Sequence, residues 1–141
     1  MASAQRTDFI PALADAIFDA ITEPEQIIAW HPHFRAMRLL DSGPIVAGTK
    51  FEVTSARMGV FGLEVLLYER GLRYSAGGTV RGIHMVHAYE LTEADGGTEL
   101  SQTGTATSTG FSFFALLMPL LVRKSIAANA AGVRRHLSVE R

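Results

Sequence analysis

Few residues in this chain could do chemistry: five histidines, three tyrosines, one tryptophan and no cysteine. Without a thiol, neither a disulfide nor a thiolate metal site can form. The only serine resembling a nucleophile elbow lies in Gly110-Phe111-Ser112-Phe113-Phe114, where the second glycine of that pattern is missing. Neither a Walker pattern nor Gly-x-Gly-x-x-Gly occurs, so no glycine-rich loop cradles a phosphate, and nucleotide-dependent catalysis is disfavoured. The candidate metal ligands are His31 and His33, around Pro32, and the pair His84 and His87. Residues three apart on a strand point to opposite faces, so His84 and His87 cannot ligate from one side. Zinc needs three or four protein ligands, and no carboxylate stands at ligand spacing from His31 or His33. The expectation is no metal and no cofactor, with His31 at a helix end and His33 in a loop, both in water.

The informative stretch is residues 80–92, which reads as one long strand. Arg81, Ile83, Met85, His87, Tyr89 and Leu91 share one side of it. Val80, Gly82, His84, Val86, Ala88 and Glu90 share the other, so the alternation is imperfect. If the first side faces inward, the strand paired with it at residues 98–107 turns Leu100, Gln102, Gly104 and Ala106 the same way. The result is an apolar wall with a few polar points: His87, Tyr89, Gln102 and, from residues 63–69, Tyr68. Such a wall suits an amphipathic ligand, because each buried polar group needs a partner. His87 reads equally as a ligand contact or as an internally bonded core histidine. Its use as a general acid or base beside Tyr89 would need a carboxylate, and Glu64 is the one conceivable candidate.

The elements that must position these groups follow from local pattern. Residues 6–10 suit a short strand ended by Pro11, with residues 1–5 frayed. Residues 14–21 place Ile17, Phe18 and Ile21 on one helical face. Thr22, Pro24 and Glu25 predict a second short helix opened by a capping box and closed at Trp30-His31-Pro32. Period two then governs residues 34–40, 50–55, 63–69 and 72–76, with turns at 41–44 and at Gly77-Gly78, and a hairpin at 94–97. Residues 111–139 read as a long helix whose stripe is Val122, Ile126, Ala130, Val133 and Leu137. Pro119 sits in its first turn, kinks it, or separates a buried turn from the main helix. The fold class is α+β: one strand, two short helices, an antiparallel sheet of six to seven strands, and a long helix packed on it. A curved sheet over a straight helix leaves a gap, here lined by Trp30, Phe51, Tyr68, Arg81, Met85, His87, Tyr89, Gln102, Met118, Val122 and Ile126.

Bulk properties agree. The 141 residues suit a single domain, residues 1–141, and a net charge of −1 offers no basic excess for nucleic acid. The mean hydropathy of +0.17 is high for so small a chain. Yet the longest apolar run, residues 113–122, is ten residues against the roughly 20 that span a bilayer. Residues 1–10 carry no apolar core of a signal peptide, so a cytoplasmic location is expected. The surplus apolar surface of residues 111–122 must face a cavity mouth, a second copy of the chain, or lipid.

Several segments resemble one family in order and spacing. Ile10-Pro11-Ala12, Phe18 through Glu25 and Trp30-His31-Pro32 resemble the opening of the polyketide cyclase/dehydrase and lipid-transport superfamily, the START-like, helix-grip or SRPBCC proteins. Gly48-Thr49-Lys50-Phe51 is similar to its strand start. Tyr89-Glu90-Leu91 with Gly96-Gly97-Thr98-Glu99-Leu100 is similar to its late hairpin. Pro119-Leu120-Leu121, Arg123 and an alanine-rich helix are similar to its last helix, so the likeness runs from about residue 6 to 138. The resemblance implies a helix-grip fold: a curved antiparallel sheet wrapped around a long C-terminal helix. It carries over no catalytic residue, because the family's activities are many. Three readings follow: binding of a lipid, aromatic polyketide or similar small hydrophobic molecule; a cyclase or dehydratase in which His87 and Tyr89 move protons; or docking to a membrane or partner, including a homodimer, through residues 111–122.

Overall fold

In the computed structural model, which describes residues 2–108 and 113–139, ten elements follow in order. They are β1 (Ala2–Ile10), α1 (Ala14–Thr22), α2 (Pro24–Trp30), β2 (Phe34–Leu39), β3 (Lys50–Ser55), β4 (Gly59–Glu69), β5 (Arg73–Val80), β6 (Ile83–Ala94), β7 (Gly97–Ser108) and α3 (Phe113–Val139). The strands form one antiparallel sheet in the order β1-β7-β6-β5-β4-β3-β2. Helix α3 lies against β1 and β7 and reaches both α1 and α2. The α+β expectation of six to seven strands, two short helices and a long final helix describes the molecule, with seven strands.

Four local expectations are corrected. Strand β1 starts at Ala2, not Arg6, because a backbone ladder needs no apolar side chains: Ala2 to Gln5 pair with β7 from Ala106 to Thr103. Thr22 closes α1 instead of capping α2; its hydroxyl donates to the Phe18 carbonyl at 2.7 Å, and Glu23 caps α2 without a side-chain bond. Gly77 and Gly78 are not a turn. They lie inside β5, where a Cβ on Gly78 would stand 2.3 Å from the Gly62 carbonyl oxygen of β4. The turn falls at Arg81-Gly82, both with positive φ, between the paired Val80 and Ile83. The long strand therefore begins at Ile83, and Arg81 sits exposed at its tip rather than on its inner face. Finally, β4 starts at Gly59 and carries a register shift between Val65 and Leu67. Phe61 and Val65 are buried before the shift. Beyond it Tyr68 comes back to the inner side, with its ring 5.2 Å from that of Phe18.

Helix α3 runs unbroken through Pro119, so no separate buried turn is cut off at the proline. Ser112, and the side chains of Phe113 and Phe114, lie outside the described residues. Ile126, Ala130, Val133 and Leu137 are buried as the stripe requires, and Val122 is half-buried. Gly104 of β7 lets the helix approach: a Cβ there would stand 2.9 Å from Val122 Cγ1. By length and composition Leu116–Ser138, with mean hydropathy 1.2, could cross a membrane. Here that stretch gives its stripe to the sheet and holds Arg123, Lys124, Arg134 and Arg135 in the remainder.

Candidate functional site

The inner face of the sheet against α3 holds two apolar clusters. The larger includes Leu100, Tyr89, Leu91, Val133, Leu137, Phe51 and Trp30; the smaller gathers Ala2, Ala106 and Met118 with Ile83, Met85 and Val122. Three elements cross from one cluster to the other, and each changes to polar or small residues between them. On β6 the residue between Met85 and Tyr89 on that face is His87. On β7, Gln102 and Gly104 fall between Leu100 and Ala106. On α3, Asn129 follows Ile126 and precedes Val133.

These side chains bond to one another in a directed chain. Gln102 Nε2 donates to the Ile126 carbonyl at 3.0 Å, which leaves Gln102 Oε1 as an acceptor 2.9 Å from His87 Nε2. His87 therefore carries its proton on Nε2, and Nδ1 accepts from Asn129 Nδ2 at 3.3 Å. Asn129 also hydrogen-bonds the Tyr89 hydroxyl, and the His87 ring stacks on Tyr89 with centroids 4.3 Å apart. Burial lowers the His87 pKa to about 4, more than the Gln102 bond raises it, so the ring is neutral at pH 7. Burial likewise pushes the Tyr89 hydroxyl above its ordinary pKa.

Two further groups belong to this interior. Tyr74 pairs with Tyr89 across β5 and β6, and its hydroxyl is buried with no hydrogen-bond partner among the described residues. His31 is not in water as expected. Its Nδ1 accepts from the backbone N–H groups of His33, at 3.1 Å, and Phe34, at 3.2 Å. Its ring stacks on Phe34 at 3.7 Å. Burial first, then nearby His33 and His87, lower its pKa to about 4.

The expected wall residues thus separate into places. His87, Tyr89, Gln102 and Ile126 meet in the polar layer. Met85, Met118 and Val122 meet in the smaller cluster. Trp30, Phe51 and Tyr68 stand in or against the larger one, where Trp30 Nε1 donates to the Ala20 carbonyl at 2.7 Å. Arg81 stands apart on its turn. Glu64 is exposed on the outer face opposite Lys50, so it cannot serve His87. Among the described residues no three metal-ligating side chains come together. A surface cleft of about 420 Å³ lies at the β6–β7 hairpin, bounded by Pro11, Leu13, Glu93, Gly97 and Thr98; none of the expected wall residues lines it. Sequence reasoning missed Asn129 and Tyr74 and placed His31 in water. Asn129 had a signal: three residues after Ile126 and four before Val133, it is a polar residue on the apolar stripe.

Comparison with known proteins matches the fold to solved structures. A START superfamily protein from Mycobacterium smegmatis shares 11% identity with a TM-score of 0.81, covering 100% of each chain. A Mesorhizobium loti protein shares 19% identity with a TM-score of 0.79, covering 99% of this chain and 98% of its own. A Thalictrum norcoclaurine synthase, solved with a transition-state analogue, shares 14% identity with a TM-score of 0.72, covering 99% of this chain and 96% of its own. No curated protein matches the sequence. The fold is the helix-grip fold, and the family model described as polyketide cyclase/dehydrase and lipid transport matches residues 1–138. On that match, the chain belongs to the polyketide cyclase/dehydrase and lipid-transport family.

Proposed function

We propose that the protein binds a small hydrophobic molecule, a lipid, an aromatic polyketide or a similar metabolite, between the sheet and α3. Its uncharged polar group is received by the Tyr89 hydroxyl, which Asn129 holds in the polar layer around His87, and by the Tyr74 hydroxyl in the larger cluster beside it. The observation that carries this reading is that layer, set between two apolar clusters, with the buried Tyr74 hydroxyl of the larger cluster left without a hydrogen-bond partner among the described residues. Its family membership supports the same class of ligand. Among the described residues, the buried polar ones include no Asp, Glu, Lys or Arg. An ionised ligand group would find no counter-charge there, and its desolvation would go uncompensated. A cyclase or dehydratase reading is weaker, because Glu64 faces away from His87.

Native mass spectrometry of protein purified from its own host tests for a retained small molecule. Titration with that molecule then separates the readings. Tyr74→Phe and Tyr89→Phe keep the apolar shape and should weaken binding about five- to 150-fold by leaving a ligand group unpaired. Unchanged affinity in both would remove the two hydroxyls from the site. Persistent binding with turnover falling about 10²–10⁴-fold in His87→Phe would establish the enzyme instead.

A further inference from the structure

We infer that the end of the molecule where α3 begins docks on an anionic lipid surface. Leu116, Leu117, Leu120 and Leu121 are 68%, 41%, 50% and 45% exposed, while Met118 on the opposite side of the same turns is 5% exposed and packs on Ala2 and Ala106. At 100° per residue the four leucines make one outward face of the helix. Lys124 continues that face one turn further on, and Arg123 borders it. This is the arrangement in which leucines enter hydrocarbon while longer cationic side chains reach back to the headgroups.

Other elements place the same charge at the same end. Ile83, which packs in the Met118 cluster, directly follows the β5–β6 turn bearing Arg81. The β3–β4 turn bearing Arg57 is adjacent, because β4 pairs with β5, and Arg35 opens β2 beside it. All five cations are exposed. Residues 53–62, 77–88, 102–108 and 116–130, which build this end, contain no Asp or Glu. The carboxylates Glu69, Glu90, Glu93, Asp95 and Glu99 lie toward the opposite end of the sheet. With a net charge of −1, the molecule is polar end to end. A second copy seated face to face would bring like charges together, which disfavours a symmetric dimer here. A lipid surface meets the helix start and both turns at once and supplies the missing negative charge.

The test is co-sedimentation of the full chain with phosphatidylcholine vesicles, with and without phosphatidylserine, at low and high salt. Binding to the serine-containing vesicles is expected, with at least about a tenfold loss when the anionic lipid is omitted or salt is raised. Arg123→Glu with Lys124→Glu should lower binding at least about tenfold. Leu117→Ser with Leu121→Ser should abolish it without lowering the melting temperature. Should a helix variant fail to fold, Arg57→Gln on the exposed β3–β4 turn should still reduce binding several-fold. Equal partition into both vesicle types, no partition, or binding indifferent to these substitutions would overturn the inference. So would a dimer, seen by size exclusion, that Leu117→Ser with Leu121→Ser dissolves.

Discussion

Gln102 Oε1 accepts from His87 Nε2 at 2.9 Å, across the paired strands β6 and β7, while the same amide donates to the Ile126 carbonyl. One fully buried side chain thus ties sheet to helix and sets the histidine tautomer. Gln102→Leu conserves volume but leaves the His87 N–H without an acceptor. The Ile126 carbonyl still serves the ladder of α3. The expected loss is about 1–3 kcal/mol in urea unfolding. In a His87→Phe background the stranded donor is gone, and the same substitution should cost clearly less. An equal cost in both backgrounds would mean the bond contributes nothing.

The neutral histidines make stability depend on pH. An unfolded histidine titrates near 6.5, whereas folded His87 and His31 titrate near 4. Between those values the unfolded chain binds more protons, so stability is fully present above about pH 6.5 and is lost as pH falls toward 4. For His87 the full effect is about 3 kcal/mol. Urea midpoints should fall from pH 7 to 5, before most carboxylates titrate, and His87→Phe should flatten that fall. A midpoint constant over this range would place both imidazoles in contact with water.

How much of this was legible beforehand depends on range. Alternation along residues 83–91 and 100–106 pointed to the inward faces, although Val86 and Ala88 on the other side of the long strand blurred it. Gly77-Gly78 misled because a glycine pair locally means a turn; what decides it is the Gly62 carbonyl of a neighbouring strand. The β4 irregularity hid the facing of Tyr68, since one extra residue reverses the alternation. His31 looked solvent-exposed because its partners are backbone amides, which no side-chain pattern reveals.

The phase of α3 has a direct check. Ile126 is 2% exposed in the stripe, and Ala128 is exposed. Ile126→Asp buries a carboxylate without a partner at a cost of several kcal/mol, comparable to the stability of an ordinary domain. It should yield an unfolded or barely stable chain by circular dichroism. Ala128→Asp should melt within a few degrees of the parent. Similar melts for the two would show that the helix is rotated.

Gly132→Ala sets intrinsic propensity against packing. In an exposed helix, replacing glycine by alanine gains about 1 kcal/mol. Here a Cβ would stand 2.8 Å from the Trp30 carbonyl oxygen and 2.9 Å from its Cε3. Trp30 has little freedom to give way, since the residue is 4% exposed and its Nε1 is held by the Ala20 carbonyl. The clash would have to move α3 away from α2, and Val133, 0% exposed on the next residue, would lose contacts with it. Overpacking of this kind costs about 1–3 kcal/mol, more than the propensity gain. The variant should therefore melt several degrees below the parent, about 2–8 °C for each net kcal/mol. A rise in melting temperature would mean that α3 sits further from Trp30 than the structure places it.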